Sequence, residues 1–337
     1  MTENNFQKDW TFDHWQYLFG KPEATADFKT LPEDFIVTEH LGFDLTGQGE
    51  NLFLCIEKRE LNTQQVCEHL AKVFEKRLRD IGYAGLKDKQ SVSRQWFSVQ
   101  MNVTQEPDLS KIETEQIKLI EVKRHNKKLK VGALKSNHFT IRLKNVDNIK
   151  HLEQKLSLIQ HSGVPNYFGL QRFGFKGNNL NWADRMASGE VIKNKKIKGF
   201  ALSSSRSYMF NQVVSKRIEQ NHFDQPMEGE IFTLAGTNSY FSESNSEQIL
   251  ERLKQQDIFI SAPLFGQGEL ETQAEVYKME SAVAEECSSW LQVLSEQGLK
   301  QERRAIRLFP KDMIEFNLPT GCFATSVLRE CALLRTE

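Results

Sequence analysis

The strongest periodic signal early in the chain is helical. Val66, Leu70, Val73, Phe74 and Leu78 recur at the i, i+4, i+7, i+8 spacing that lines one face of a helix with apolar side chains. Asn62 or Thr63 stands where a side-chain oxygen can accept from the first unpaired N–H groups. Gly82 stands where a left-handed residue can end the helix. Strand patterns flank this helix. Asn51 to Glu57 alternates, and so does Arg94 to Gln100, which sends Trp96 and Phe97 to opposite faces. Ile117 to Val122, Leu129 to Ala133 and His138 to Leu143 predict further strands, mostly antiparallel because the links between them are short.

Past Asn148 the period changes. A helical pattern runs to about Gln160, followed by a loop rich in glycine, asparagine and aromatic residues: Gly163-Val164-Pro165-Asn166-Tyr167-Phe168-Gly169, then Gln171-Arg172-Phe173-Gly174. Helices are predicted near Leu180 to Ala187, Arg206 to Glu219, Ser246 to Gln256 and Gln273 to Gln297, with a short strand from Gly229 to Leu234. The first half is sheet-dominated and the second helix-rich, so a boundary is expected near residue 162. The apolar stretch from Leu318 to Arg329 is expected to dock back on the first domain, which makes the helical part an insertion.

Length supports two domains, since 337 residues exceed the ~250–300 that one core usually serves. With 39% hydrophobic and 26% charged residues and 23 phenylalanines, the composition is that of a folded soluble protein. No apolar run approaches the roughly 20 residues needed to span a bilayer, so no membrane partner is expected. The polar stretch Met1 to Lys8 lacks the basic start and apolar core of a secretion signal. Five cysteines without a CxxC pair fit reduced, mostly structural thiols in a cytoplasmic protein. Eight histidines without HxxxH or CxxH spacing argue against a metal site. A monomer is expected, because no exposed heptad or large apolar stripe is present.

The formal net charge of −1 conceals a segregation. Residues 72–218 carry 29 basic and 12 acidic side chains, a net +17, against −8 for residues 1–71 and −12 for residues 219–302. Solubility alone would be served as well by mixed charges. A concentrated positive segment points to a polyanion such as nucleic acid, whose affinity is dominated by phosphate neutralisation.

The common enzyme signatures are missing: no GxxxxGK[ST], no GxSxG, no glycine-rich turn for a dinucleotide or methyl donor. Four patches remain. Lys87-Asp88-Lys89 sets one carboxylate between two cations, just ahead of the strand holding Trp96 and Phe97. Opposite charges keep a carboxylate ionised, which suits it to nucleophilic or electrostatic work; the plainer reading is a solvated turn. Lys29 with Pro32-Glu33-Asp34-Phe35 reads also as a proline turn leading into a strand. Asn137-His138-Phe139 reads also as an ordinary strand with Phe139 in the core. Phe323, on the loop Gly321 to Ser326, is either a core aromatic or a ring on which a base stacks, a contact worth ~1–3 kcal/mol. Two basic runs, Lys123 to Lys130 and Val191 to Lys198, are either solvated turns or phosphate contacts through Lys127, Lys128, Lys195 and Lys196.

Taken together, Lys29 to Phe35, Gly85 to Trp96, Arg124 to Phe139, Gly163 to Gly174, Ser203 to Asn211 and Leu318 to Glu330 resemble the tRNA pseudouridine synthase D (TruD) family, in order and nearly end to end. The runs Gly163 to Gly169 and Phe323 to Glu330 are the most specific part of the match. The resemblance implies an α+β protein: a pseudouridine synthase catalytic domain with a mixed, largely antiparallel sheet in residues 1–162, an α/β TRUD domain inserted over residues 163–308, and a return to the catalytic domain in residues 309–337. A basic cleft between the two would receive tRNA.

It further implies conversion of uridine 13 of tRNA to pseudouridine with no cofactor. Asp88 would be the catalytic aspartate. Phe35, Asn137 and Phe323 would contact the target nucleotide, Phe139 would lie under the base, and Lys29 would be the cation nearest Asp88. Lys87 and Lys89 then read as RNA-facing residues. One stretch departs from the family pattern. Only Lys311 to Asn317 separates Phe309-Pro310 from Leu318-Pro319, where a longer strand-forming segment is expected; a missing edge strand there would shift the loop bearing Phe323. The alternative from another class is a non-catalytic tRNA-binding chaperone on the same scaffold, which the basic middle and aromatic loops fit equally well.

Overall fold

The computed structural model describes residues 8–310, 315–319 and 321–335. Its first half runs β1 (Thr25–Asp27), a 3-10 turn (Pro32–Asp34), β2 (Phe35–Leu41), β3 (Asn51–Arg59), α1 (Thr63–Val73), β4 (Ile81–Tyr83), β5 (Val92–Gln100), β6 (Ile117–His125) and β7 (Leu134–Ile141). After α2 (Ile149–Ser162) come β8 (Val164–Pro165), α3 (Asn178–Ala187), α4 (Lys195–Glu219), β9 (Ile231–Leu234), β10 (Tyr240–Ser242) and α5 (Glu247–Lys254). Then follow β11 (Ile258–Leu264), α6 (Ala274–Glu286), α7 (Ser288–Glu296), β12 (Glu302–Ala305) and β13 (Arg307–Leu308). β14 (Glu315–Pro319), α8 (Ala324–Cys331) and β15 (Leu333–Arg335) close the chain. Two compact units result. One holds Glu23–Leu156, Pro310–Gly321 and the chain from Ala332; the other holds the chain up to Pro22, Ser157–Phe309 and Cys322–Cys331.

The first unit is built on a seven-stranded sheet ordered β14-β7-β2-β5-β3-β6, with β4 also on β5. Only the β2–β5 pair is parallel; the other pairings are antiparallel. β2 lies beside Val92–Arg94 and β4 beside Phe97–Val99, so both share one edge of β5. Leu52, Leu54 and Ile56 point to one face and pack with Val66, Cys67, Leu70, Phe97 and Val99, while Phe53 and Cys55 pack on the other with Trp96 and Leu129. Strands buried on both faces explain why β3 reads as a near-continuous apolar run.

The α1 cap is the one expected. Asn62 Oδ1 accepts from Gln65 N at 2.9 Å and Gln65 Oε1 accepts in turn from Asn62 N at 2.9 Å, a capping box. The helix ends earlier than expected, because Glu75 takes the left-handed conformation (φ 52°) and Lys76 N bonds back to Ala71 O at 2.8 Å. Gly82 therefore caps nothing. It lies in β4, where a Cβ would meet Ser98 Oγ at 2.4 Å and Leu129 O at 2.5 Å. Leu129 to Ala133 is a turn and not a strand: Leu129 N is held by Ser98 Oγ at 3.0 Å and Gly132 N by Ala84 O at 2.8 Å. At the far edge the expected gap is filled. Glu315–Pro319 forms β14 and pairs with β7 from Glu315↔Thr140 to Pro319↔Ser136, so five residues suffice for the edge strand; Lys311 to Ile314 lie outside the described residues.

The second unit contains the four-stranded antiparallel sheet β10-β9-β11-β12 and the helices α3 to α8. Its core takes Trp15 from the N-terminal segment, Phe173, Phe210, Phe232 and Phe265, which is why that segment belongs here. Gln273 to Gln297 is two helices broken at Cys287, and α4 starts at Lys195, capped by Asn194. The glycine- and aromatic-rich loop is a set of ties: Asn211 makes two bonds with the Phe168 backbone, 2.9 and 3.0 Å, and Ser326 Oγ donates to Tyr167 O at 2.6 Å.

Candidate active site

Asp88 sits on the loop between β4 and β5, and its backbone is tied from several sides. Gln95 Nε2 donates to Gly85 O at 2.6 Å, and Lys87 N donates to Thr63 Oγ1 at 2.9 Å. The carbonyl of Asp88 accepts from Ser91 Oγ at 2.8 Å and from Lys58 Nζ at 2.9 Å. A loop held this way presents its side chain without further ordering, which is what a reacting group needs.

The Asp88 side chain remains 48% exposed, and Lys29 Nζ lies 2.7 Å from its Oδ2. Lys29 comes from the segment between β1 and the Pro32–Asp34 turn and holds a left-handed conformation (φ 60°), uncommon for a lysine. Its ammonium stands 4.0 Å from the centre of the Phe35 ring and 5.4 Å from that of Phe28, so it is clamped between aromatic faces and the carboxylate. Gln90 Nε2 holds the Lys29 carbonyl at 2.7 Å. Asp34 anchors the same segment, accepting from Thr30 Oγ1 at 2.6 Å, Leu31 N at 2.9 Å and Lys144 Nζ at 2.7 Å. Burial pushes the Asp34 carboxyl upward, but the Lys144, Thr30 and Leu31 donors outweigh it and hold its pKa below the usual range.

Strand register extends the site. Phe35 faces Ile141 and Val37 faces Phe139 across β2–β7, and Glu39 faces Asn137, so all six share one sheet face. The Phe35 and Phe139 rings are 5.8 Å apart. Asn137 Oδ1 is buried without a hydrogen-bond partner, an unfilled acceptor of the kind that demands an explanation. Beside it Glu39, fully buried, accepts from Lys87 Nζ and from Trp96 N at 2.9 Å. Burial raises the Glu39 pKa against the pull of Lys87.

The structure thus brings Lys29, Phe35, Asp88, Asn137 and Phe139 into one unit. Phe323 belongs to the other, following Gly321 (φ 83°) and packing on Phe168 at 5.8 Å, with the Arg172 guanidinium 5.5 Å from its ring. Two basic residues are not placed as expected. Lys87 turns inward to Glu39 and its side chain is 7% exposed, because the buried carboxylate needs a counter-charge. Lys128 Nζ is spent on Arg79 O at 2.6 Å. Lys89, Lys127, Lys195 and Lys196 are exposed, the last two in the first turn of α4. Lys58, Ser91 and Gln95, and Thr63 in any role but a helix cap, carry no motif that marks them as site residues. Lys58 carried a signal: it follows Leu52, Leu54 and Ile56 at two-residue spacing, a lysine on the buried face of a strand.

Among the described residues no helix is long and apolar enough to cross a membrane. A crystal structure described as a tRNA pseudouridine synthase D (TruD) from Methanosarcina mazei matches the fold with a TM-score of 0.69, at 21% identity, covering 98% of each chain. In sequence the chain is 43% identical over 334 residues to the tRNA pseudouridine synthase D of Pseudoalteromonas atlantica, covering 94% of this chain and 95% of that one. It is 41% identical over 335 residues to that of Proteus mirabilis, with 95% of each covered. The family profile for tRNA pseudouridine synthase D (TruD) matches residues 12–193 and 185–331, and with these ties and the α+β architecture above, the chain belongs to the TruD family.

Proposed function

We propose that this chain is a cytoplasmic tRNA pseudouridine synthase that isomerises uridine 13 of tRNA, with Asp88 as the catalytic carboxylate. The observation that carries the reading is the Asp88 carboxylate, on a half-exposed side chain, held 2.7 Å from Lys29 on a loop tied by four hydrogen bonds. The reaction breaks the N1–C1′ bond, turns the base and joins C5 to C1′, while the C5 proton is given up and N1 gains one, so no other reactant is consumed. The nucleotide has to leave its stack and be held away from water. Phe35 and Phe139, adjacent and buried in the free protein, are assigned to the wall against which it packs, and the unfilled Asn137 Oδ1 to a base N–H. Asp88 acts ionised, either attacking carbon or removing the C2′ proton, with Lys29 balancing its charge. Phe323, in the other unit, is assigned to stacking on RNA, and the exposed Lys89, Lys127, Lys195 and Lys196 to backbone phosphates.

Carbodiimide-adduct primer extension on tRNA incubated with the protein tests this. A stop at uridine 13 is expected with the wild type and none with Asp88→Asn. Tight tRNA binding with no stop on any tRNA sinks the reading in favour of a chaperone.

A further inference from the structure

We propose that Lys58 is a positioning residue for Asp88: its buried ammonium holds the main chain of the loop, and so fixes where the carboxylate stands. This rests on the reading of Asp88 given above. Lys58 is the last but one residue of β3, on the same face as Leu52, Leu54 and Ile56, and is 0% exposed. A methionine or leucine there would simply extend the core. The ammonium instead donates to two carbonyls, Leu61 O at 2.6 Å and Asp88 O at 2.9 Å, joining the start of the α1 turn to the catalytic loop. Among the described residues no carboxylate lies within ion-pair distance of it, so this buried charge is spent on backbone acceptors. Ser91 Oγ, 2.8 Å away from the same Asp88 oxygen, completes the clamp.

The charged groups facing Lys58 are Asp88 and Lys87 on the loop and Glu39 on β2. Burial lowers the Lys58 pKa to about 8, with Asp88 pulling it back up, Lys87 pushing it down and Glu39 pulling it up. The clamp is therefore charged at neutral pH and loses its proton as pH rises past about 8. The neutral amine keeps N–H donors but loses charge assistance, which roughly halves the strength of each bond.

Single-turnover pseudouridine formation and tRNA affinity, followed from about pH 6 to about pH 10, test this on the full chain with wild type, Asp88→Asn, Lys58→Met and Lys58→Gln. Lys58→Met is expected to bind tRNA like the wild type and to react about 10²-fold more slowly, the cost of a misplacement near 1 Å. The wild-type rate is expected to fall through about pH 8, whereas Lys58→Gln, a permanently neutral donor, shows no such step. Ionisation of the substrate base is common to all and cancels in the ratio. A wild-type rate in Lys58→Met, or the same alkaline step in Lys58→Gln, overturns the proposal; if neither variant folds, a wild-type profile without the step does so. Turnover by Asp88→Asn removes the reading of Asp88 and this proposal with it, while an inactive Asp88→Asn beside an unimpaired Lys58→Met removes only the role of Lys58.

Discussion

Lys29 Nζ lies 2.7 Å from Asp88 Oδ2 and 4.0 Å from the centre of the Phe35 ring, so one cation serves both a carboxylate and an aromatic face. The Lys29 side chain is 16% exposed against 48% for that of Asp88; water reaches the carboxylate more readily than the cation that balances it. Lys29→Met keeps the aliphatic stem against Phe35 and removes only the charge. We expect its single-turnover rate to fall about 10²-fold, as for loss of one preorganised electrostatic partner, with tRNA affinity near that of the wild type. Quench-flow and filter binding separate the two; an unchanged rate would remove Lys29 from the site.

Asn137 offers a test that sets stability against activity. Its Oδ1 is buried without a partner, so the folded protein gains nothing from that atom. Asn137→Ala is expected to change unfolding free energy by no more than about 1 kcal/mol, while pseudouridine formation drops sharply. A large stability loss with intact turnover would make Asn137 a structural residue.

Asp34 sets a pH dependence of stability. Its folded pKa lies below the usual 3.8, against the push of burial, because Lys144, Thr30 and Leu31 bond its carboxylate. Such a group contributes stability that is fully present above the unfolded pKa and is lost as pH falls through the lower folded value. Urea unfolding as a function of pH should show an acid decline that is smaller in Asp34→Asn, and Asp34→Ala should cost about 2 kcal/mol at neutral pH.

Gly82 tests the packing beside the Asp88 loop. A Cβ there would stand 2.4 Å from Ser98 Oγ and 2.5 Å from Leu129 O, and the second contact is backbone that cannot swing away. Gly82→Ala should destabilise by roughly 1–3 kcal/mol, measured by chemical denaturation. A neutral effect would show that the Leu129 turn yields freely.

Local chemistry in the chain was enough for much of this. The apolar spacing of Val66, Leu70 and Val73 and the Asn62 cap specify α1, and the apolar run Leu52 to Ile56, unbroken where strict alternation is expected, specifies β3. Both are settled by neighbours within a few residues. Short patches bring Asp88, Lys29, Phe35, Asn137 and Phe139 forward as candidates and the family resemblance gives them roles; the structure places all five in one unit. Tertiary structure decided what local sequence could not. Strand register put Glu39 opposite Asn137 and buried it, which drew Lys87 inward and away from solvent. The left-handed Glu75 stopped α1 short of Gly82, and β7 supplied the partner that makes Glu315–Pro319 a strand. Lys58 reaches the Asp88 carbonyl across thirty residues of chain. Such bonds depend on which strands come to lie side by side, and pairing between distant segments leaves no mark in the pattern of either segment alone.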